Sequence, residues 1–243
     1  MTDYNSKYIK YKTKYLQLNN NELVGGSNKN LIIHIAGSSG VGKTTLGLKL
    51  KKKYGNKIVV KDLDDLRDDF RKYYEDKKTS VEVFKKNFKK NYQSFLDNYI
   101  HKQKKILIIT GINTYINGEQ FKYRDILFKI KYKLNTHSDY KFCIDLPTDV
   151  ILKQRWYREY DMYVKFTCED LKESKDRLYE VYKNQDDTFD ISKVVPDLGW
   201  LFDRNIHEVH INNWNMFYKK EGYEFLSRED IFKNIAKLID SSL

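Results

Sequence analysis

The chain has 243 residues and a formal net charge of +11, with 40% hydrophobic and 33% charged residues. This length fits one domain with appendages, and twenty tyrosines and thirteen phenylalanines supply enough apolar surface to exclude wholesale disorder. No stretch approaches the roughly 18 apolar residues of a membrane span. The cysteines, Cys143 and Cys168, are too few for a disulfide scaffold, which favours a reducing, cytoplasmic compartment. The positive charge favours an anionic partner such as a nucleotide, a nucleic acid or an acidic membrane surface, although dispersed, solvated lysines explain it equally well.

The first 28 residues differ from the rest of the chain. Four tyrosines recur there at helical spacing, interleaved with lysines: Tyr4, Tyr8, Tyr11 and Tyr15. A run of asparagines and glycines over residues 19–28 then predicts a flexible joint. We therefore expect a basic extension over residues 1–28 and one domain over residues 29–243. The lead segment and the bias towards Lys, Asn, Tyr and Ile resemble proteins encoded by giant DNA viruses.

The body of the chain alternates predicted strands and helices. The predicted strands are Leu31–Ala36, Lys57–Lys61, Ile106–Thr110, Tyr140–Leu146 and Ile206–Ile211. The predicted helices are Thr44–Tyr54, Asp65–Lys102 with a break near Thr79, a charged aromatic segment over Pro147–Gln185, and Arg228–Asp240. Such alternation is typical of an α/β fold with five parallel strands between two layers of helices. His34, in the first strand, is expected to be a packed core histidine.

A glycine-rich loop follows the first predicted strand and precedes the first predicted helix. It fits the pattern G-x-x-x-x-G-K-[ST], and its residues run Gly37, Ser38, Ser39, Gly40, Val41, Gly42, Lys43, Thr44, with Thr45 next. Glycines let successive backbone N–H groups turn towards phosphate oxygens, and the following helix adds its positive end. The loop therefore predicts ATP binding, with Lys43 on the β- and γ-phosphates and Thr44 on Mg²⁺.

Acidic residues follow the second predicted strand and not the third. The third strand ends in Thr110, Gly111 and Ile112, which departs from large ATPase motors, and no GTPase base-reading motif stands at a suitable position. Asp62, Asp64 and the later Arg67 instead lie at the carboxyl end of the second strand, where ligands of open α/β sheets collect. A carboxylate there can accept a proton from an attacking hydroxyl, and an arginine can bind an acceptor phosphate. A solvated helix start is the alternative reading.

Lys43 in its loop, followed by Asp64-Asp65-Leu66-Arg67, resembles P-loop kinases of the polynucleotide 5′-kinase and zeta-toxin type. The resemblance implies an adenylate-kinase-like P-loop fold, Asp64 as general base and Arg67 as a ligand of the acceptor. Asp62 resembles the first acid of the D-x-D pair in shikimate- and gluconate-kinase-like enzymes, which implies a role in placing Mg²⁺.

Similar kinases keep a lid after the fourth strand, here expected at about residues 147–185. Arg155 and Arg158 lie three residues apart in it, and on a helix they share a face. We expect them to stabilise the transferred phosphoryl group, since negative charge is spread there in the transition state. An amphipathic helix with both arginines exposed is the alternative.

The leading hypothesis is an ATP- and Mg²⁺-dependent kinase acting on a hydroxyl of a nucleotide, a nucleotide sugar, a small metabolite or a nucleic-acid 5′ end. One alternative is a nucleoside monophosphate kinase, whose anionic acceptor needs no base. Another is a non-catalytic ATP-binding viral module, which the missing acid after the third strand favours. No obligate protein partner follows from the sequence.

Overall fold

The computed structural model describes residues 30–75, 81–116, 130–161, 179, 180, 183 and 204–242. The strands are β1 Ile32–Ala36, β2 Ile58–Asp62, β3 Ile106–Thr110, β4 Thr114–Ile116, β5 Ile130–Lys133, β6 Tyr140–Ile144 and β7 Glu224–Leu226. Five of them form one sheet in the order β2-β3-β1-β6-β7, and each neighbouring pair is parallel. The other two strands, β4 and β5, form a separate antiparallel ribbon. Along the chain they come after β3 and before β6, and the sequence did not predict them.

Six long α-helices accompany the sheet in the described part of the chain. They are α1 Lys43–Tyr54, α2 Leu63–Glu75, α3 Val81–Lys102, α4 Thr148–Glu159, α5 Arg204–Lys220 and α6 Arg228–Ser242. The last begins as predicted, because the backbone N–H of Asp230 donates to Ser227 Oγ at 3.1 Å and the Ser227 hydroxyl donates to the Asp230 carboxylate at 2.7 Å.

The two faces of the sheet bury separate hydrophobic clusters. Successive residues of β3 point to opposite faces, so Ile108 packs with α1 and α6 while Leu107 and Ile109 pack with α2 and α3. A strand buried on both faces reads as a continuous apolar run, as β3 does. The predicted α/β fold with five parallel strands and flanking helices is therefore confirmed.

The predicted fifth strand at Ile206–Ile211 is wrong, because this segment lies within helix α5. The buried residues His207, Ile211, Trp214 and Tyr218 recur at spacings of four, three and four, which is the period of a helix. Within the six residues of the predicted strand, the apolar residues Ile206, Val209 and Ile211 are too few to distinguish a strand from a helix. The fifth strand is β7, whose three residues are too few to show a period.

Several predictions fall on residues outside those described. They are the extension over residues 1–28, the helix break near Thr79, and most of the lid beyond residue 161. In the described part of the chain, no helix combines the length and the apolar character needed to cross a membrane.

His34 is fully buried in β1, as expected of a core histidine. Its Nε2 lies 3.0 Å from the carbonyl oxygen of Gly111, which can only accept, so Nε2 carries the proton and Nδ1 accepts from the Tyr223 hydroxyl at 2.6 Å. Burial, followed by the nearby cations Lys43 and Lys141, lowers the pKa of His34 to about 4. The neutral ring thus ties β1 to the backbone that follows β3 and to the residue before β7.

We expect His34 to make the fold sensitive to acid. Because its folded pKa is depressed, the unfolded chain binds more protons between about pH 6.5 and pH 4, and stability falls as the pH falls through that window. His34→Gln keeps a donor for the Gly111 carbonyl but cannot titrate. The free energy of unfolding is measured in urea at pH 7 and at pH 5. The loss between the two pH values should be smaller in His34→Gln than in the unsubstituted protein by roughly 2 kcal/mol. Equal losses in the two proteins would contradict this role.

Candidate active site

The glycine-rich loop connects β1 to α1 and curls around the side chain of its own lysine. Gly40 and Gly42 have φ of 90° and 84°, a left-handed backbone that glycine adopts without strain. Lys43 Nζ donates to the carbonyl oxygens of Gly37 at 2.9 Å and Ser38 at 2.7 Å. The sequence therefore folds locally into a loop that holds a cation at the start of a helix.

The ammonium of Lys43 is held in a confined position. Burial lowers its pKa to about 8, the carboxylates of Asp62 and Asp64 oppose that shift, and Arg158 adds to it. The Ser38 hydroxyl is also buried, with no hydrogen-bond partner among the described residues. A confined cation and an unsatisfied buried hydroxyl beside a helix N-terminus suit an anionic ligand such as a phosphate.

Asp62 ends β2 and turns its carboxylate towards Thr44. The Thr44 hydroxyl donates to Asp62 Oδ2 at 3.1 Å, and the Thr110 hydroxyl at the end of β3 donates to the same oxygen at 2.7 Å. The strand register explains the second bond, because Asp62 pairs directly with Thr110. A hydroxyl and a carboxylate next to a phosphate loop are the protein ligands that Mg²⁺ uses in such sites, together with the phosphates themselves.

Asp64 lies in the first turn of α2 with its side chain 70% exposed. Its Oδ1 lies 3.1 Å from Nη2 of Arg67, one turn further along the helix. The Nε of Arg67 is buried and has no hydrogen-bond partner among the described residues. The carboxylate is therefore accessible, while the arginine behind it keeps an unused donor.

A cleft of about 320 Å³ is lined by the glycine-rich loop, by Asp62 and Asp64, and by two residues of α4. Its lining residues are Ser39, Gly40, Gly42, Lys43, Thr44, Thr45, Asp62, Asp64, Gly111, Ile112, Gln154 and Arg158. Val41, by contrast, is buried in the core beneath the loop. Arg67 and Arg155 do not line the cleft either. The cleft therefore gathers most of the predicted site residues.

The two arginines of α4 have different surroundings. Arg158 Nη1 donates to Ser39 Oγ at 2.7 Å, so this guanidinium lies at the rim of the loop. Arg155 is only 9% exposed, and its backbone packs so closely that a Cβ at Gly40 would lie 3.2 Å from the Arg155 nitrogen. Its charge also adds to the burial that lowers the pKa of His207 to about 3 and of His210 to about 4. Arg158 thus faces the cleft, and Arg155 faces the packing between α4 and α5.

A second cleft, of about 550 Å³, continues from the first and shares Gly42 and Thr45 with it. It lies between the first turns of α1 and α6, and its other lining residues are Leu46, Lys49, Arg228, Glu229, Phe232 and Lys233. Together the two clefts form a groove that begins at Asp62 and Asp64 and passes the phosphate loop to an aromatic, basic end.

Several residues of this groove were missed by the sequence analysis. Gln154 lies one helical turn before Arg158 and lines the same cleft, so a spacing of four from Arg158 would have found it. Gly111 and Ile112 follow the apolar strand β3, a position that marks a ligand edge in α/β sheets. No sequence pattern points to Arg228, which reaches the groove only because β7 places the start of α6 beside α1.

The described residues contain no cluster of three or more His, Cys, Asp or Glu side chains that could hold a metal by themselves. The donor set of Thr44 and Asp62 nonetheless fits Mg²⁺, which commonly takes one or two protein ligands and completes its shell with water and phosphate. It contains neither the nitrogen nor the sulfur ligands that zinc and copper sites use.

Residues 18–122 match the Zeta toxin family model. The match covers somewhat less than half of the chain, including the phosphate loop, both acids and β3, while α4 with its arginines lies outside it. The family is one of the P-loop kinase superfamily, so the match supports ATP-binding kinase activity in general and identifies no acceptor. No curated protein matches the chain.

Proposed function

We propose that this protein is a kinase that transfers the γ-phosphoryl group of ATP to a hydroxyl of an anionic acceptor, a nucleotide, a nucleotide sugar, a small metabolite or a nucleic-acid end. One observation carries the proposal: Lys43, Thr44, Asp62, Asp64 and Arg158 line a single cleft. These are a phosphate ligand, two magnesium ligands, a carboxylate and a lid arginine, the parts that phosphoryl transfer requires.

In this proposal the donor nucleotide lies along the groove. The backbone N–H groups of residues 38–45 and the Lys43 ammonium hold its phosphates, and its base lies in the second cleft, where Phe232 offers an aromatic ring. Thr44 and Asp62 would hold Mg²⁺, which would neutralise negative charge on the phosphates. Lys43 Nζ now donates hydrogen bonds to two carbonyl oxygens of its own loop, and with ATP bound it would donate to phosphate oxygens instead.

The acceptor hydroxyl would lie beside Asp64. Its proton passes to the Asp64 carboxylate as its oxygen bonds to the γ-phosphorus, and the bond from that phosphorus to the β–γ bridging oxygen breaks, leaving ADP. Arg158, with Arg155 behind it, supplies positive charge to the transferred group. The unused Nε of Arg67 supports an acceptor that carries a negative charge of its own.

A different observation favours each of the two alternative functions. A nucleoside monophosphate kinase is favoured by the arginine next to Asp64, since its acceptor is a phosphate. A non-catalytic ATP-binding module is favoured by the threonine that ends β3 where many ATPases have an acid. A viral source and a cytoplasmic setting stay expectations from composition.

We expect ATP with Mg²⁺ to stabilise the protein against heat, because a ligand that binds only the folded state shifts unfolding by mass action. At a concentration 100 times the dissociation constant, the melting temperature should rise by about 5–10 °C. Incubation with γ-labelled ATP and a panel of nucleosides, nucleoside monophosphates, nucleotide sugars and 5′-hydroxyl oligonucleotides should then label one class of acceptor.

Three outcomes separate the candidates. Label on a hydroxyl of a nucleotide, sugar or oligonucleotide supports the proposal, and label on the phosphate of a monophosphate supports the first alternative. Heat stabilisation without any labelled product supports the binding module. The absence of both stabilisation and labelling would refute ATP binding altogether.

A further inference from the structure

Thr110 stands at the end of β3, the position at which the sequence lacks an acid. Its side chain is 1% exposed, and its hydroxyl donates to Asp62 Oδ2 at 2.7 Å, which is shorter than the 3.1 Å bond from Thr44 to the same oxygen. The two residues are 48 positions apart in the chain and meet because β2 and β3 pair in parallel register.

The Asp62 carboxylate is held at both of its oxygens. The backbone N–H of Asp64 donates to Oδ1 at 2.9 Å, and Gly111 approaches that oxygen so closely that a Cβ there would lie 3.1 Å from it. Thr110 is the buried member of the two hydroxyl donors, whereas Thr44 is exposed at the start of α1. A carboxylate without the Thr110 bond would keep the exposed Thr44 hydroxyl as its one hydroxyl donor among the described residues, beside the backbone N–H of Asp64.

We propose that Thr110 is a positioning residue of the magnesium–nucleotide site. Its hydroxyl fixes the rotamer of Asp62, so that an acid from β2 faces Thr44 and takes the place that an acid at the end of β3 has in other ATPases. The inference rests on the proposed function, because it assumes that Thr44 and Asp62 hold the metal. It assigns to Thr110 no contact with ATP, the acceptor or the metal.

The test uses three substitutions in the full chain. Thr110→Val removes the hydroxyl and keeps the shape of the side chain, and Thr110→Ser keeps the hydroxyl. Thr136→Val is the matched control, because Thr136 is 3% exposed and its hydroxyl bonds to Ser138 at 2.7 Å, away from the cleft. Each protein is titrated with Mg²⁺ at a fixed ATP concentration, and the rise in melting temperature is recorded.

We expect Thr110→Val to raise the Mg²⁺ concentration for half-maximal stabilisation by about tenfold, as loss of a residue that orients a metal ligand typically does. Thr110→Ser should restore the original value, and Thr136→Val should leave it unchanged. If valine at position 110 prevents folding, Thr110→Ala provides the same comparison. In an Asp62→Ala background, which has no side-chain acceptor at position 62, the substitution at position 110 should have no further effect, because it acts through Asp62.

A Mg²⁺ requirement that is the same in Thr110→Val as in the unsubstituted protein would overturn the inference and leave the proposed function standing. An additional effect of Thr110→Val in the Asp62→Ala background would also overturn it, because Thr110 would then act on something other than Asp62. Failure of ATP and Mg²⁺ to stabilise even the unsubstituted protein would instead remove the proposed function on which the inference rests.

Discussion

Asp64→Asn is expected to slow phosphoryl transfer by roughly 10²–10⁴-fold while leaving ATP binding intact. An asparagine has almost the same shape as the aspartate, but its amide cannot accept the proton of the acceptor hydroxyl. Because Asp64 is not among the residues proposed to hold the triphosphate, ATP with Mg²⁺ should stabilise the variant and the unsubstituted protein against heat to the same extent. The measurements are the turnover with labelled ATP and the melting temperature with ATP.

The neighbouring carboxylate provides a matched control for this substitution. Asp65 lies in the same first turn of α2 and is exposed, but it does not line the cleft. Asp65→Asn should therefore keep full turnover. The pair between Asp64 and Arg67 lies at the surface, so its loss should change the free energy of unfolding by less than about 1 kcal/mol. Unchanged turnover in Asp64→Asn would refute the role of Asp64 as general base. It would favour a nucleoside monophosphate as acceptor, because transfer to a phosphate needs no base and depends on the arginines.

Lys43→Met is expected to abolish ATP binding and at the same time to stabilise the protein without ligand. Burial lowers the pKa of Lys43 to about 8, so the lysine is still charged at pH 7. Burial of that charge destabilises the folded protein. A methionine fills a similar volume without that charge. The free energy of unfolding at pH 7 should rise by roughly 1–3 kcal/mol, and the heat stabilisation by ATP should disappear.

The pH dependence provides a second check on Lys43. Its folded pKa lies below the ordinary 10.5, so the unfolded chain binds more protons between about pH 8 and pH 10.5, and this lysine makes stability rise with pH in that window. The rise should be absent from Lys43→Met. Lys51→Met is a suitable control, because Lys51 donates to the carbonyl oxygens of Gly55 and Ile58 at the far end of the same helix. Retained ATP stabilisation in Lys43→Met would refute the role of the loop.

The phosphate loop could be predicted because everything it needs is local. A buried strand, two glycines with left-handed backbone, a lysine and a helix follow one another within a few residues, and the loop's chemistry lies in that succession. The strands β1, β2, β3 and β6 were also predictable, because each contains a short apolar run of the kind that parallel strands have. The sequence likewise placed Asp62 and Asp64 at the end of a strand where ligands gather.

Contacts between distant segments had to come from the tertiary structure. The bond between Thr110 and Asp62 depends on the register of two strands, and no residue in either strand specifies its partner. The orientation of α4 decides that Arg158 faces the cleft with Gln154 while Arg155 packs against Gly40, although the sequence placed both arginines on one helix face. The three residues of β7 form a strand because β6 offers them an edge, and that pairing places Arg228 in the groove. Local chemistry is determined by neighbouring residues, whereas the composition of a cleft is determined by how helices and strands pack.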